Sequence, residues 1–368
     1  MKILTVTFNK AQNYGAQLQE YALMYSLNMK HDTKVLNYLD QKMIRNYQYN
    51  KIKGENIFEK IKCIIRVIIH FNKNNKRNHS FIEYENKNIK YSEKEYTLNQ
   101  IKNECFSTSV LIAGSDQVWN PEITDGLSDV YTLNFGNDNI KRISYAASVG
   151  NEKNIQKYKE EYKKKLSRLD RISVREESAK KELEKILPGK KIEVVLDPTL
   201  LLKKEEWEAK INNIKSEKEK YILAYYVDED KNFVNITNEL SKTTGLKVIH
   251  FDKRNRGLKN VLRSAYTDGP LEFIKLIKNA EYIVATSFHA TVFSIIFNKK
   301  FWIVPHKTTG SRVTDLLKKL GISNRAINSI DEFKEKDYNE EIDYEKVNKL
   351  LEKERQKSID WLMDAIEK

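Results

Sequence analysis

The stretch that most constrains the fold is Tyr282–Val304, YIVATSFHATVFSIIFNKKFWIV. An apolar run (YIVAT) enters a tight turn (SFHA), then an apolar helical segment (TVFSIIF), a polar break (NKK) and a second apolar run (FWIV). Strand, turn, helix and strand at this spacing form half of a doubly wound α/β domain, whose ligands collect beyond the carboxyl ends of the strands. His289 falls in that crevice, at or near the first helical turn. Free backbone N–H groups and the positive end of the helix dipole favour an anion there. The competing reading is that His289 caps the helix and orders the turn.

The same punctuation recurs along the chain. KILTVTF opens a first strand, and the loop NKAQNYGAQ follows it. Gly15 stands at the mouth of this turn, where a missing side chain lets backbone approach a ligand or packs helix on strand. Asn13 and Tyr14 are candidates for polar contacts at a pocket rim, or else order the turn. The segment lacks both the dinucleotide fingerprint and the phosphate-loop pattern. VLIAGSDQVWNP (110–121) reads as a central strand whose turn presents Ser115, Asp116, Gln117 and Trp119. A carboxylate in that place orients a hydroxyl or acts as a general base. Arg175 stands where the strand DRISV ends and a helix begins, as an anion clamp or as an ion-pair partner of Glu176 and Glu177. Asp197-Pro198 reads as a structural turn closing the first domain. Gly310, Ser311 and Arg312 open another helix, a second anion-binding candidate.

At 368 residues the chain has length for two domains, and 32% charged with 40% hydrophobic residues fits a globular protein. The expected domains are 1–205, carrying a helical insertion at about 41–96, then 206–342, and a terminal helix 343–368 returning to the first. The formal charge of +13 reflects a general richness in Lys and favours anionic ligands or an anionic membrane face. No nucleic-acid motif accompanies it. Two unpaired cysteines, Cys63 and Cys105, argue against a disulfide framework or Cys zinc site, and the expected home is the cytoplasm. Within the insertion, IFEKIKCIIRVIIHF (57–71) is too apolar for an ordinary surface helix, and the basic run NKNNKRN follows. It reads either as a helix packed on the domain before a solvated loop, or as an interfacial helix with a basic flank of Lys73, Lys76 and Arg77.

Seven segments, NYGAQLQEYAL, GSDQVWNP, SYAASVG, SVREESA, LDPTLLL, ATSFHATVFSIIFNKKF and GSRVTDLLKKLGI, are collinear with the polysaccharide pyruvyl transferase family, which the chain resembles over nearly its whole length. The resemblance implies two Rossmann-like domains in a GT-B-like arrangement with the active site between them. It implies phosphoenolpyruvate as donor, a saccharide hydroxyl pair as acceptor (a lipid-linked one among the options), and no further cofactor. The strand-end Arg of the family falls on Arg175 and its helix-start His on His289. Several relatives carry an Arg two residues before that His, where this chain has Ser287; Arg312, Lys307 or His306 are the cations that could replace it. The expected roles are proton transfer for His289 and Asp116, and anion binding for Arg175 and Arg312. A nucleotide-sugar glycosyltransferase and a non-catalytic saccharide-binding protein are the alternatives.

Overall fold

The computed structural model describes residues 1–46, 56–227, 230–306 and 310–368. Two parallel sheets organise them. The first is built from β1 (Lys2–Val6), β2 (Asp32–Val35), β3 (Val110–Ala113), β4 (Lys141–Ala147), β5 (Arg171–Val174) and β6 (Ile192–Val194), in the order β2-β1-β3-β4-β5-β6. The second is built from β7 (Tyr221–Tyr225), β8 (Lys247–His250), β9 (Val261–Ser264), β10 (Tyr282–Ala285) and β11 (Lys300–Ile303), in the order β11-β10-β7-β8-β9. Every residue of β3 and β10 is buried, as parallel strands covered by helices on both faces require. This is why VLIA and YIVA run without polar alternation.

Strand order locates the ligand crevices. In the first sheet the order reverses between β1 and β3, and in the second between β7 and β10. Crevices open at such switch points, beyond the carboxyl ends of the strands. The turns and first helical residues there contain Gly15 and Asp116 on one side and Ser287 and His289 on the other.

The helices that place the site are α1 (Tyr14–Asn28), α2 (Ile57–Asn88), α3 (Glu177–Ile186), α4 (Pro270–Asn279), α5 (Phe288–Ile296), α6 (Ser311–Lys319) and α7 (Tyr344–Glu367). The terminal helix α7 packs back on the first sheet. Its Ser358 Oγ accepts from Leu196 N at 3.0 Å, Arg355 Nε donates to Leu200 O at 2.7 Å, and Asp364 pairs with Arg171 at 2.6 Å.

The solvated loop expected after residue 71 is instead helix, because α2 continues through NKNNKRN to Asn88. Tertiary contacts override the weak helix propensity of asparagine here. Buried Asn74 accepts from Tyr266 Oη at 3.1 Å, and Arg77 is also buried. Arg77 therefore does not belong to a lipid-facing flank. Its Nη1 donates to Tyr14 Oη at 2.6 Å and to Tyr266 O at 2.8 Å, while Nη2 donates to Gln12 O at 3.1 Å. Tyr14 in turn stacks on Phe273 of α4 at 4.7 Å and donates to Asp268 O at 2.9 Å. This strut of α1, α2 and α4 fixes one domain against the other. Burial, partly offset by Arg77, holds the Tyr14 phenol well above its ordinary range, so it stays a neutral donor.

Candidate functional site

The site is assembled on Asp197. This residue follows β6 and opens the 3₁₀ turn Pro198–Leu200, where its Oδ1 accepts from Thr199 N at 3.0 Å and Thr199 Oγ1 at 2.6 Å. That much agrees with a structural turn. Its other oxygen does more: Oδ2 accepts from Arg175 Nη1 at 2.7 Å and from Ser115 Oγ at 3.2 Å. It also lies 3.6 Å from His289 Nε2 of the second domain, an ion-pair distance too long for a hydrogen bond. One carboxylate thus links the ends of β3, β5 and β6 to the start of α5.

Burial decides how these groups are charged. The Asp197 side chain is 0% exposed and that of Arg175 only 3%. Burial alone would raise the Asp197 pKa, but the neighbouring His289 and Arg175 outweigh it and hold the carboxyl well below the usual carboxylate range. Arg175 behaves likewise: burial pulls its pKa down, and Glu176, Asp197 and Asp116 pull it further up. A buried pair of this kind is costly unless its remaining polar atoms are satisfied. Here they are not, because among the described residues Arg175 Nη2 and His289 Nε2 have no hydrogen-bond partner. The guanidinium rests on the Phe288 ring at 4.6 Å, which leaves its edge free for an anion.

His289 is the second residue of α5, within the positive end of that helix. Its ring lies against the start of α1. A β-carbon built on Gly15 would fall 2.0 Å from His289 Nδ1, so only glycine admits the imidazole. Two helix N-termini, one from each domain, converge on the ring.

A cavity of ≈ 510 Å³ opens beside the cluster, with Arg175, Asp197, Phe288, Lys181, Arg312 and Lys318 among the residues that line it. Burial, then repulsion from Arg175, pushes Arg312 down to about 10, still cationic at neutral pH. An anion between the two guanidiniums would relieve that repulsion. Asp315 on the same wall is raised by burial and by Glu177.

The other sequence-derived candidates divide. Asp116 is half-buried, and its charge acts on both Arg175 and Arg312. It adopts a left-handed φ of 69°, which its short polar side chain tolerates. Gln117 is half-buried and accepts from Asn120 at 2.9 Å. Ser115 is buried and serves Asp197, and Ser287 is the N-cap of α5. Asn13 caps α1, its side chain accepting from Ala16 N at 3.2 Å. Two candidates do not reach the cleft. Trp119 is fully buried with Nε1 donating to Tyr131 O at 3.0 Å, because its bulk fills the core beneath the loop. Tyr14 is the interdomain strut. Lys307 lies outside the described residues. The residue that sequence reasoning passed over is Asp197; an aspartate directly after the apolar run VVL was the available signal.

Fold and site together define a two-domain α/β protein with a cluster of charged side chains, Arg175, Asp197 and His289, shared across its interdomain cleft. The polysaccharide pyruvyl transferase family model matches residues 13–308, and the chain belongs to that family. No curated protein matches it. Among solved structures, UDP-GlcNAc 2-epimerase of Neisseria meningitidis, bound to UDP-GlcNAc, is similar at 13% identity, with 99% of this chain and 100% of that one covered and a TM-score of 0.46. The UDP-GlcNAc 2-epimerase of Methanocaldococcus jannaschii is similar at 14% identity, with 96% and 92% covered and a TM-score of 0.47. The Escherichia coli heptosyltransferase WaaC with ADP is similar at 11%, with 85% and 90% covered and a TM-score of 0.39. At these scores they add nothing to what the two sheets themselves define.

Proposed function

We propose that this protein transfers pyruvate from phosphoenolpyruvate to a pair of saccharide hydroxyls, forming a pyruvate ketal and inorganic phosphate. The observation that carries the reading is the pair of cations at the cleft: Arg175, whose buried Nη2 has no hydrogen-bond partner among the described residues, and Arg312, close enough for the two charges to repel. Phosphoenolpyruvate presents a carboxylate and a phosphate close together, which suits two guanidiniums better than one. Arg312 then fills the role of the Arg that Ser287 replaces.

The reaction asks for a proton on the methylene carbon, loss of protons from two hydroxyls, and stabilisation of the departing phosphate. One hydroxyl proton ends on the new methyl group and the other leaves with phosphate, so no oxidant or reductant is needed. His289 Nε2, lacking a partner and facing Asp197, is the group we assign to proton transfer. Asp197 holds the imidazole's charge and position, and Asp116 orients the attacking hydroxyl. The N-termini of α1 and α5 add their dipoles to the phosphate's stabilisation. The same reading puts the protein in the cytoplasm, at the inner membrane face, with a lipid-linked saccharide as acceptor. Phosphorus NMR of phosphoenolpyruvate with a panel of acceptor saccharides tests it. Phosphate release that depends on acceptor is expected. Release of a nucleoside diphosphate from a nucleotide sugar, with phosphoenolpyruvate untouched, would favour a glycosyltransferase instead, and saccharide binding without turnover a binding protein.

A further inference from the structure

The first half of α2 is the most apolar exposed surface among the described residues. Phe58 is 74% exposed and Ile68 69%, and Ile57, Ile61, Ile65 and Ile69 are exposed beside them. Over residues 57–71, at about 100° per residue, the apolar side chains fall in one arc of about 160°, from Phe71 through Ile64, Ile68 and Ile65 to Ile69, without a polar interruption; Asn72, Asn75 and Lys76 end it one turn further on. Lysines border the arc on both sides: Lys60 next to Phe71, and Lys62 with Lys73 next to Ile69, all three exposed. Between residues 57 and 76 the sequence has a single acid, Glu59, and helical spacing puts it far from the arc. The opposite side of the helix, carrying half-buried Cys63, Val67 and His70, turns towards the protein. His70 feels the charges of Lys253 and Arg254, in the loop that follows β8. The helix therefore runs along the cleft side of the second domain, at the carboxyl ends of its strands.

We infer that this arc docks the protein on an anionic lipid surface, the apolar side chains entering the acyl boundary and the bordering lysines meeting headgroup phosphates. Among the described residues no helix is long and apolar enough to cross a membrane, so the contact is in the plane of the surface. Charge decides between lipid and a second copy of the chain. Two copies meeting through this arc would set Lys60, Lys62 and Lys73 against their own counterparts, whereas an anionic surface neutralises both borders at once. The arc is also broader than the narrow seam a paired helix uses. Docked so, the protein would turn its cleft towards the membrane, where a lipid-linked acceptor is held.

This gives the membrane contact of the proposed function a named surface. The test needs no substrate, so its failure leaves the pyruvyl-transfer reading standing. Full-length protein is co-sedimented with vesicles of phosphatidylcholine alone and of phosphatidylcholine mixed with phosphatidylglycerol. Binding is expected to the mixed vesicles, and far less to the neutral ones. The variant Lys60→Gln/Lys62→Gln/Lys73→Gln should bind about 100-fold more weakly, from roughly five-fold per lysine. Ile61→Ser/Ile65→Ser/Ile68→Ser should lose binding altogether. Both sets alter exposed side chains, so the thermal melt should match that of the wild type and exclude misfolding as the cause. Equal binding to both vesicle types, binding indifferent to either set, or no binding at all overturns the inference. So does a lipid-independent dimer in sedimentation velocity that the Ile→Ser set dissociates, which would make a second copy the occupant.

Discussion

Replacing Gly15 by alanine perturbs the site through a single atom. The residue sits in the first turn of α1 without a left-handed backbone, so alanine is sterically acceptable to the helix and favours it by up to about 1 kcal/mol. The conflict is with the other domain. The new methyl carbon would stand 2.0 Å from His289 Nδ1 and 2.5 Å from Cε1 and Cγ. Ordinary carbon contacts need about 3.5 Å, so the imidazole must retreat by about 1.5 Å or the domains must part. Overpacking of this kind costs about 1–3 kcal/mol, which outweighs or cancels the helical gain. A displacement of about 1 Å in a reacting group costs on the order of 100-fold in turnover. With His289→Ala the space is vacant, and the same Gly15→Ala change should become neutral or stabilising. Urea unfolding of the four proteins in the cycle is then expected to give a coupling energy of about 1–3 kcal/mol between positions 15 and 289. A coupling near zero, with wild-type turnover in Gly15→Ala, would refute the argument that glycine is there to admit the ring.

Three further outcomes follow from the geometry. Asp197→Asn keeps the turn's hydrogen bonds but removes the nearer of the two carboxylates that pair with buried Arg175, leaving Glu176 at 3.4 Å; a loss of roughly 1.5–3 kcal/mol in urea unfolding is expected, and a change within error would contradict the buried pair. Arg77→Ala removes the donors to Tyr14 Oη, Tyr266 O and Gln12 O, and should cost roughly 2–4 kcal/mol by the same measurement, since three hydrogen bonds between α1, α2 and the loop before α4 are lost together. Burial, relieved in part by Gln17 and Lys10, pushes the Glu85 carboxyl up to about 7 from 4.5. A raised carboxyl pKa means the folded state binds the proton more tightly, so stability falls as pH rises between those two values, by roughly 3 kcal/mol for this group. Glu85→Gln should flatten that fall in melts taken across the window and be the more stable protein at pH above 7; an unchanged profile would contradict it.

Much of the fold was legible because buried parallel strands are uninterrupted apolar runs, as in VLIA and YIVA, and because turn residues mark their ends. Strand β9 was not, since VLRS is a half-buried edge with no pattern of its own. The asparagine-rich part of α2 reads as a loop because what keeps it helical is a tyrosine 192 positions away. In the site, His289, Arg175 and Asp116 were visible as polar residues at strand ends. Asp197 was visible in the same way, but its turn-capping role is local and its bonds to Arg175, Ser115 and the His289 ring are not. Trp119 and Tyr14 misled for the converse reason. An aromatic ring in a polar turn looks like a ligand contact, although here Trp119 fills the core beneath the loop and Tyr14 ties α1 to the second domain.

The central proposal is that Arg175, Asp197 and His289 form one site that binds phosphoenolpyruvate and passes a proton from an acceptor hydroxyl to its methylene carbon. It is tested most directly by single-turnover phosphate release from phosphoenolpyruvate in His289→Ala, in the presence of an acceptor saccharide that supports release by the wild type, with donor binding measured by calorimetry on the same protein. The account predicts retained binding, because the guanidiniums remain, with release slowed by ~100- to 10,000-fold. Release at the wild-type rate from a folded His289→Ala protein would contradict it and leave the imidazole as a cap on α5.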